Sequence, residues 1–589
     1  MESPSSTWRF FIPLKQYGDL LTRYLEPQRW RVAMLAILLF VSIALQLVNP
    51  QILRYFIDGA TRGSSTQTLA TAALLFLGAA IVQQACAVLA TFFGENIAWM
   101  ATNALRVDLA AHCLRLDLAF HKTRTPGELI ERIDGDVTAL ANFFSHFVIG
   151  IVGNLLLLFG VMALFFREDW RIGLVESAFA CAALAALLYL RTIAVPHWLA
   201  VREKSAKFYG FIGEQIVATE DLRANGATAY VLRRFYELVR EWFPFIQKAW
   251  IAALSMEGAT RFIFGIGIAI AFALGAFFWS GGQMTLGTVY LVFYYTELLQ
   301  HPLMQLRDQL RDLQMATASI ARVQELFNTS PKIQDGSGQA IPTGALTVHF
   351  DAVSFGYDRD ENVLHDLTFD LTSGKVLGLL GRTGSGKTTL ARLLFRLYDT
   401  TAGEISLSRV PIRAARLAEL RQRVGMVTQD VQLFDGTLRD NLTFFNRAIP
   451  DEQIIGVFDE LGLRAWFDSL AGGLDKELKA GGGLSVGEAQ LVAFARVFLK
   501  SPGLVILDEA SAHLDPGTEA LIERAVTRLL QNRTGIVIAH RLATVQRADD
   551  IMILEQGNIQ EYGARADLLR DPASRFSQLL RVGMDEVLA

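Results

Sequence analysis

The sequence predicts a multi-domain chain: a six-helix α-helical transmembrane bundle with long cytosolic helical extensions, followed by a separate α/β domain. Three observations carry this. The 589 residues exceed one ordinary domain. Apolar residues make up 52% of the chain, but they crowd into the first half in runs too long for a soluble core. Beyond about residue 316 those runs stop, and short β-rich segments mix with amphipathic helical ones.

Roughly twenty apolar residues cross a bilayer core. Six stretches qualify, at about 32–57, 69–93, 140–166, 172–192, 260–279 and 286–306. The connections 58–68, 167–171 and 280–285 are short and carry only Arg62, Arg167 and Arg171 as cations. The connections 94–139 and 193–259 are long, helical in pattern and rich in Arg and Lys. Positive loops stay on the cytoplasmic side. Both termini and the two long connections are therefore expected in the cytosol, in a multi-pass protein of the cell membrane. Leu69 to about Leu116 contains no proline and reads as one helix. At 1.5 Å per residue it runs ~70 Å, against a hydrocarbon core of ~30 Å, so it projects some 40 Å beyond the bilayer. Pro126-Gly127 ends that descent after DLAFHKTRT, and KFYGFIGEQIVATED (207–221) forms a second tip. SPKIQDGSGQAIPTGA reads as a linker. The expected domains are 1–329, the linker 330–345, and 346–589.

Composition excludes some classes. A net charge of -4 with no dominant basic stripe argues against a nucleic-acid partner. Cys86, Cys113 and Cys181 lie far apart, without metal-ligand or redox spacing. The first residues lack the layout of a secretory signal.

The second half carries the chemistry. In VLGLLGRTGSGKTTLARLLF a buried-strand pattern enters GRTGSGKT (381–388) and a helix-forming run leaves it. This is the G-x-x-x-x-G-K-[ST] phosphate loop in its strand–loop–helix setting, which marks a P-loop ATPase domain. Gly381, Gly384 and Gly386, with Arg382, Thr383 and Ser385 between them, let backbone N–H groups close around phosphate oxygens. The helix N-terminus that follows adds partial positive charge. Lys387 is expected on the β- and γ-phosphates, the Thr388 hydroxyl on Mg²⁺, and Thr389 nearer the α-phosphate. LVILDEA (504–510) ends an apolar strand in Asp508-Glu509. Asp508 suits a water-mediated hold on Mg²⁺, and Glu509 suits a general base that orients the attacking water. TGIVIAHRLATV ends another strand at His540, placed to touch the γ-phosphate.

With these motifs in order, nearly the whole chain resembles the ABC transporter family, in its exporter-type half-transporters. The resemblance implies that Tyr357 in VSFGYD stacks on adenine and that Gln429 senses the γ-phosphate and Mg²⁺. It implies that LSVGE (484–488) is the signature and that AHLD (512–515), ending in Asp515, is a dimer contact, with His513 where a small residue is usual. It further implies ATP clamped between one chain's phosphate loop and a second half-transporter's signature. Ser485 and the Gly487 N–H would then reach the γ-phosphate held by the partner. The tips near 117–122 and 211–219 become coupling helices.

LSVGE departs from the family's pattern at Val486 and Glu488, and ELKAGGG (477–483) lacks an acidic pattern. A carboxylate about 7 Å from phosphate, at an effective dielectric of about 20, repels it by about 2 kcal/mol. Intact hydrolytic groups beside an impaired clamp point to a heterodimer with one competent and one degenerate ATP site. A homodimer that tolerates Val and Glu is the alternative. Export follows from the resemblance; a siderophore-type importer and an ATP-gated regulatory subunit stay open. Glu176, Glu297 and Arg261 lie within predicted spans, beside Gln46, Asn49, Gln83, Gln84 and Asn154. With Tyr290, Tyr294 and Tyr295 they line a cavity for an unknown amphipathic substrate, or they hydrogen-bond helix to helix.

Overall fold

The computed structural model describes residues 22–357, 361–479, 483–508, 516–538 and 545–582, without the side chains of 142–149, 308, 310–315 and 582. The chain divides into two compact units. One comprises Met1–Leu114 and Pro126–Thr329, the other Arg115–Thr125 and Ser330–Ala589. Contacts therefore set Arg115–Thr125 apart from the helices that flank it in sequence.

The first unit is helical. Its long elements are α1 (Arg29–Thr61), α2 (Thr66–Arg115), α3 (Asp136–His146), α4 (Asn154–Glu168), α5 (Trp170–Val217), α6 (Thr228–Ser280), α7 (Leu286–Leu298) and α8 (Gln300–Asn328). Proline-free α2 runs 50 residues, about 75 Å. Among the described residues five helices are long and apolar enough to cross a bilayer: Thr22–Thr61, Thr66–Arg115, Gly150–Glu168, Trp170–Val217 and Thr228–Ser280. The sixth apolar stretch, 286–306, is divided at Leu299 between α7 and α8. Pro302 has no N–H to give the Leu298 carbonyl, which weakens the helix there. Leu299 N still bonds Tyr295 O at 3.1 Å, and Leu303 N bonds Leu299 O at 3.3 Å, so the backbone holds its course. Counting six crossings thus means taking α7 and the start of α8 together.

The core of this unit joins α4, α5, α6 and α7 around Phe165, Ile172, Leu187, Ala271, Leu291 and Tyr295, all fully buried. Polar bonds tie three helix ends. Asp58 on α1 accepts from Thr285 Oγ1 at 2.8 Å and from Gly287 N at 2.9 Å. Arg54 donates to both oxygens of Glu168 at 2.7 Å. A Cβ at Gly287 would stand 2.6 Å from the Arg54 carbonyl, so this approach requires glycine.

The second unit holds two main sheets. An antiparallel sheet contains β1 (Val348–Phe355), β2 (Leu364–Leu371), β4 (Ala402–Leu407) and β5 (Val410–Pro411), in the order β2-β1-β4-β5. The larger sheet contains β3 (Val376–Leu380), β6 (Val424–Val427), β7 (Leu504–Asp508), β8 (Thr534–Ile538), β9 (Asp550–Glu555) and β10 (Asn558–Ala564). Its order is β10-β9-β3-β8-β7-β6, parallel except where β10 meets β9. Strands covered on both faces explain the unbroken apolar runs VLGLL and TGIVI.

The expected linker has no regular structure, yet it is bonded along its length. Gly338 N and Gln339 N reach Ala414 O, Leu417 N reaches Asp335 Oδ1 at 2.7 Å, and Ile341 is buried. The short helix Leu118–Lys122 belongs to this unit too. Leu118 and Ala119 pack against its β-sheet core, and Asp117 accepts from the backbone N–H groups of Lys332 and Ile333.

Candidate nucleotide site

Strand register assembles the site. Leu379 on β3 pairs with Ile538 on β8, Ile538 with Asp508 on β7, and Leu507 with Val427 on β6. The carboxyl ends of four parallel strands therefore share one edge, where open α/β sheets bind ligands. That edge receives the loop after β3, Asp508 at the end of β7, and exposed Gln429 just past β6. Glu509, which follows Asp508 directly, lies outside the described residues, as do His513, Asp515 and His540.

The loop 381–386 is built on positive φ angles: +153° at Gly381, +83° at Gly384 and +104° at Gly386. A Cβ at Gly381 would stand 2.2 Å from the Leu554 carbonyl, and one at Gly386 2.5 Å from the Leu364 side chain. Arg382, Thr383 and Gly384 form the exposed rim of the loop. Helix α9 (Lys387–Leu394) leaves the loop, with Thr388 in its first turn. Lys387 is 6% exposed and folds back across the loop, donating to Gly381 O at 2.5 Å and Arg382 O at 3.0 Å. Ser385 is buried, and its hydroxyl has no hydrogen-bond partner among the described residues. Such groups are normally satisfied. A buried hydroxyl in a glycine loop at a helix start fits a phosphate oxygen. The donor set of Thr388, Gln429 and Asp508 is all oxygen, which suits Mg²⁺, a cation that takes few protein ligands and keeps waters and phosphates.

Tyr357 follows β1 and is joined to this helix. Its hydroxyl lies 3.0 Å from Thr389 Oγ1 and accepts from Arg392 at 3.0 Å. Phe355 and Tyr398 stand edge-on to its ring at 5.0 and 5.1 Å. Burial pushes the Tyr398 hydroxyl pKa up, and nearby Tyr357 adds to this. The Lys122 ammonium sits 4.8 Å from the centre of the Tyr357 ring. Thr389, expected near the α-phosphate, and Tyr357, expected on the adenine, are thus direct neighbours. Sequence reasoning missed Arg392, Tyr398 and Lys122. Arg392 had a signal, since it lies three residues after Thr389 on one helix face; Lys122 lies in the tip 117–122 that the resemblance makes a coupling helix, and Tyr398 had no signal.

The signature opens α10 (Val486–Lys500) with a reciprocal cap. Ser485 Oγ accepts from Glu488 N at 3.2 Å, and Glu488 accepts from Ser485 N at 2.8 Å. The Trp466 indole donates to the other Glu488 oxygen at 3.2 Å. Burial raises the Glu488 pKa, but these N–H donors and the Ser485 hydroxyl outweigh it and hold the carboxyl below its usual range. The repulsion expected from Glu488 is therefore reduced, because its charge is already engaged by its own helix end. Gly487 is buried in the first turn, where N–H groups have no intrahelical acceptor. The Val486 side chain is 71% exposed. Arg496, on the same helix, donates to Asn441 O at 2.6 Å and Gln432 O at 2.9 Å, tying α10 to the segment that follows Gln429.

Among the polar residues of the apolar half, Tyr295 is fully buried, donating to Leu47 O at 2.7 Å and accepting from Gln51 at 3.1 Å. Asn154 bonds Gly150 O, and Arg261 pairs with Glu257 on its own helix. Tyr295 thus ties α7 to α1, whereas the Asn154 and Arg261 contacts each reach only four residues along the chain. Glu176 is fully buried beside Thr296.

Known proteins share this arrangement. The family profile described as ABC transporter matches residues 364–512, and that described as ABC transporter transmembrane region matches residues 32–303. A fatty acid ABC transporter ATP-binding/permease protein of Mycobacterium bovis is 30% identical over 87% of this chain and 80% of its own length. A multidrug resistance ABC transporter ATP-binding and permease protein of Lactococcus lactis is 26% identical, covering 92% of each chain. A bacterial Atm1-family ABC exporter with ATP bound superposes with a TM-score of 0.79 at 28% identity, covering 94% of this chain and 98% of its own. With the phosphate loop at the strand edge and the apolar helices before it, the chain belongs to the ABC transporter family, as an exporter-type half-transporter that couples ATP hydrolysis to transport.

Proposed function

We propose that the chain exports an amphipathic small molecule, lipid or peptide across the plasma membrane by alternating access, as one half of a dimer with its ATPase domain in the cytosol. The observation that carries this reading is the strand edge that gathers the glycine loop, buried Lys387, the buried Ser385 hydroxyl and Asp508. Tyr357 holds the adenine of ATP; loop N–H groups, Ser385, Lys387 and Thr389 hold its phosphates. Thr388, Gln429 and Asp508 would hold Mg²⁺, which would supply neutralisation of the phosphate charge. Glu509 accepts the proton of the attacking water, and His540 and Gln429 fix the γ-phosphate. The contact with the second chain is assigned to Asp515 from the resemblance of AHLD to the family's dimer-contact loop. The lipid class draws support from the fatty acid transporter among the relatives, and the drug class from the multidrug one.

The partner is a different half-transporter. Val486 and Glu488 alter the signature that this chain lends its partner, whereas its own phosphate loop is complete, so the two ATP sites are unequal. The capping of Glu488 favours a second reading, a homodimer that tolerates the altered signature. ATPase assays on the purified chain, alone and mixed with a half-transporter encoded beside it, decide between them. Activity that appears only on mixing and is lost in Glu509→Gln supports the unequal pair. Full activity of the chain alone defeats it.

A further inference from the structure

We propose that Lys122 reads nucleotide occupancy at Tyr357: its ammonium and the purine of ATP compete for the same aromatic ring, so base binding releases the end of helix Leu118–Lys122. The proposal rests on the reading of Tyr357 as the base platform. The ring is fixed from several sides. Its hydroxyl is bonded to Thr389 and Arg392, and Phe355 and Tyr398 stand at 84° and 86° to its plane. It is still 39% exposed, so a ligand reaches it. The group already on it is the Lys122 ammonium, 4.8 Å from its centre and 6.0 Å from that of Tyr398.

A cation is drawn to a phenol ring by the ring's quadrupole, and a purine stacks on the same π-surface. An ammonium 4.8 Å away fills the layer a stacked base needs, so the two exclude each other there. Lys122 is exposed and leaves its place readily. The rest of its helix stays anchored, by Leu118 and Ala119 in the core and by Asp117 on the Lys332 and Ile333 amides. Base binding then changes one contact, at the last residue of the segment that directly follows α2 in the chain.

The test uses the full-length protein in detergent or nanodiscs, with its partner if the pair is required. Affinity for ATP is measured beside affinity for inorganic triphosphate, which has phosphates and no base. Lys122→Met is expected to tighten ATP by about two- to fivefold and to leave triphosphate unchanged. The gain disappears in a Tyr357→Ala background, and Lys122→Arg restores wild-type affinity. Unchanged ATP affinity in Lys122→Met overturns the proposal, and so does equal weakening of both ligands, which would mark a phosphate contact. Failure of the site itself reads differently: Lys387→Ala would then leave both ligands bound as before, whatever Lys122 does.

Discussion

At the residue scale, single groups decide whether the phosphate loop forms. Gly381→Ala places a methyl 2.2 Å from a backbone carbonyl of β9 at a φ of +153°, and neither neighbour can yield cheaply. ATP binding is expected to fall at least tenfold while the helical unit keeps its fold, as read by nucleotide titration and circular dichroism. Glu488 is the opposite case. Counted as a bare charge it repels phosphate, yet the pattern Ser-x-x-Glu before an apolar run is a capping signature, and that local signal was in the sequence. Glu488→Ala removes a cap and strands the Trp466 indole and the Ser485 amide, for about 1 kcal/mol, or about 2–4 °C in the apparent melting midpoint of a domain this size. The folded carboxyl titrates below its usual value, so its stabilisation is present above about pH 4.5 and fades as pH falls through the folded pKa. The gap between wild type and Glu488→Ala should therefore close on acidification, while Glu488→Gln shows no such titration.

At the element scale, the glycine loop was legible because strand, loop and helix are contiguous and each has its own pattern. The cluster of Tyr357, Thr389 and Arg392 was not, since Tyr357 arrives from β1 and meets α9 only through the sheets. Segment 115–125 was assigned to the helical half by proximity in sequence, but burial of Leu118 and Ala119 sets its allegiance. The segment 330–345 read as a linker from its Gly, Pro, Ser and Asp content, and that composition says nothing about docking by backbone bonds. Five of the six apolar stretches correspond to long apolar helices among the described residues, while the division of the sixth at Leu299 needed the missing N–H of Pro302 to be counted. The tie between α1 and α7 also escaped notice, because Asp58 sits in a short connection and Gly287 at the start of an apolar stretch, and neither position looks unusual. Asp58→Ala leaves the Thr285 hydroxyl and the Gly287 amide without their acceptor, at about 1–3 kcal/mol. Gly287→Ala forces α7 away from the Arg54 carbonyl. Both are expected to lower the melting midpoint in detergent, and Asp58→Asn, which keeps one acceptor, to lower it less.

At the scale of the whole molecule, the phosphate loop and the signature of one chain serve different nucleotides in the proposed dimer. Repairing the signature with Val486→Gly and Glu488→Gln therefore reports on the partner. In a homodimer every site uses this signature, and the repair removes a repulsion of up to about 2 kcal/mol from each, so turnover of the chain alone should rise by about tenfold. In the unequal pair the repaired signature faces a partner site that hydrolyses poorly for its own reasons, and turnover of the mixture should stay within about twofold. The hydrolytic side behaves conversely: Glu509→Gln should abolish turnover of the mixture, because the competent site depends on this chain's carboxylate. The cap that holds Glu488 against Ser485 and Trp466 makes the repair a fair trial, since Gln at 488 retains an acceptor for the helix end and leaves α10 folded. Steady-state ATPase rates of the four combinations, repaired or not and alone or mixed, separate the two assemblies without any transported substrate being identified. A tenfold rise in the mixture would remove the case for unequal sites, because it would place this signature opposite a pocket that works.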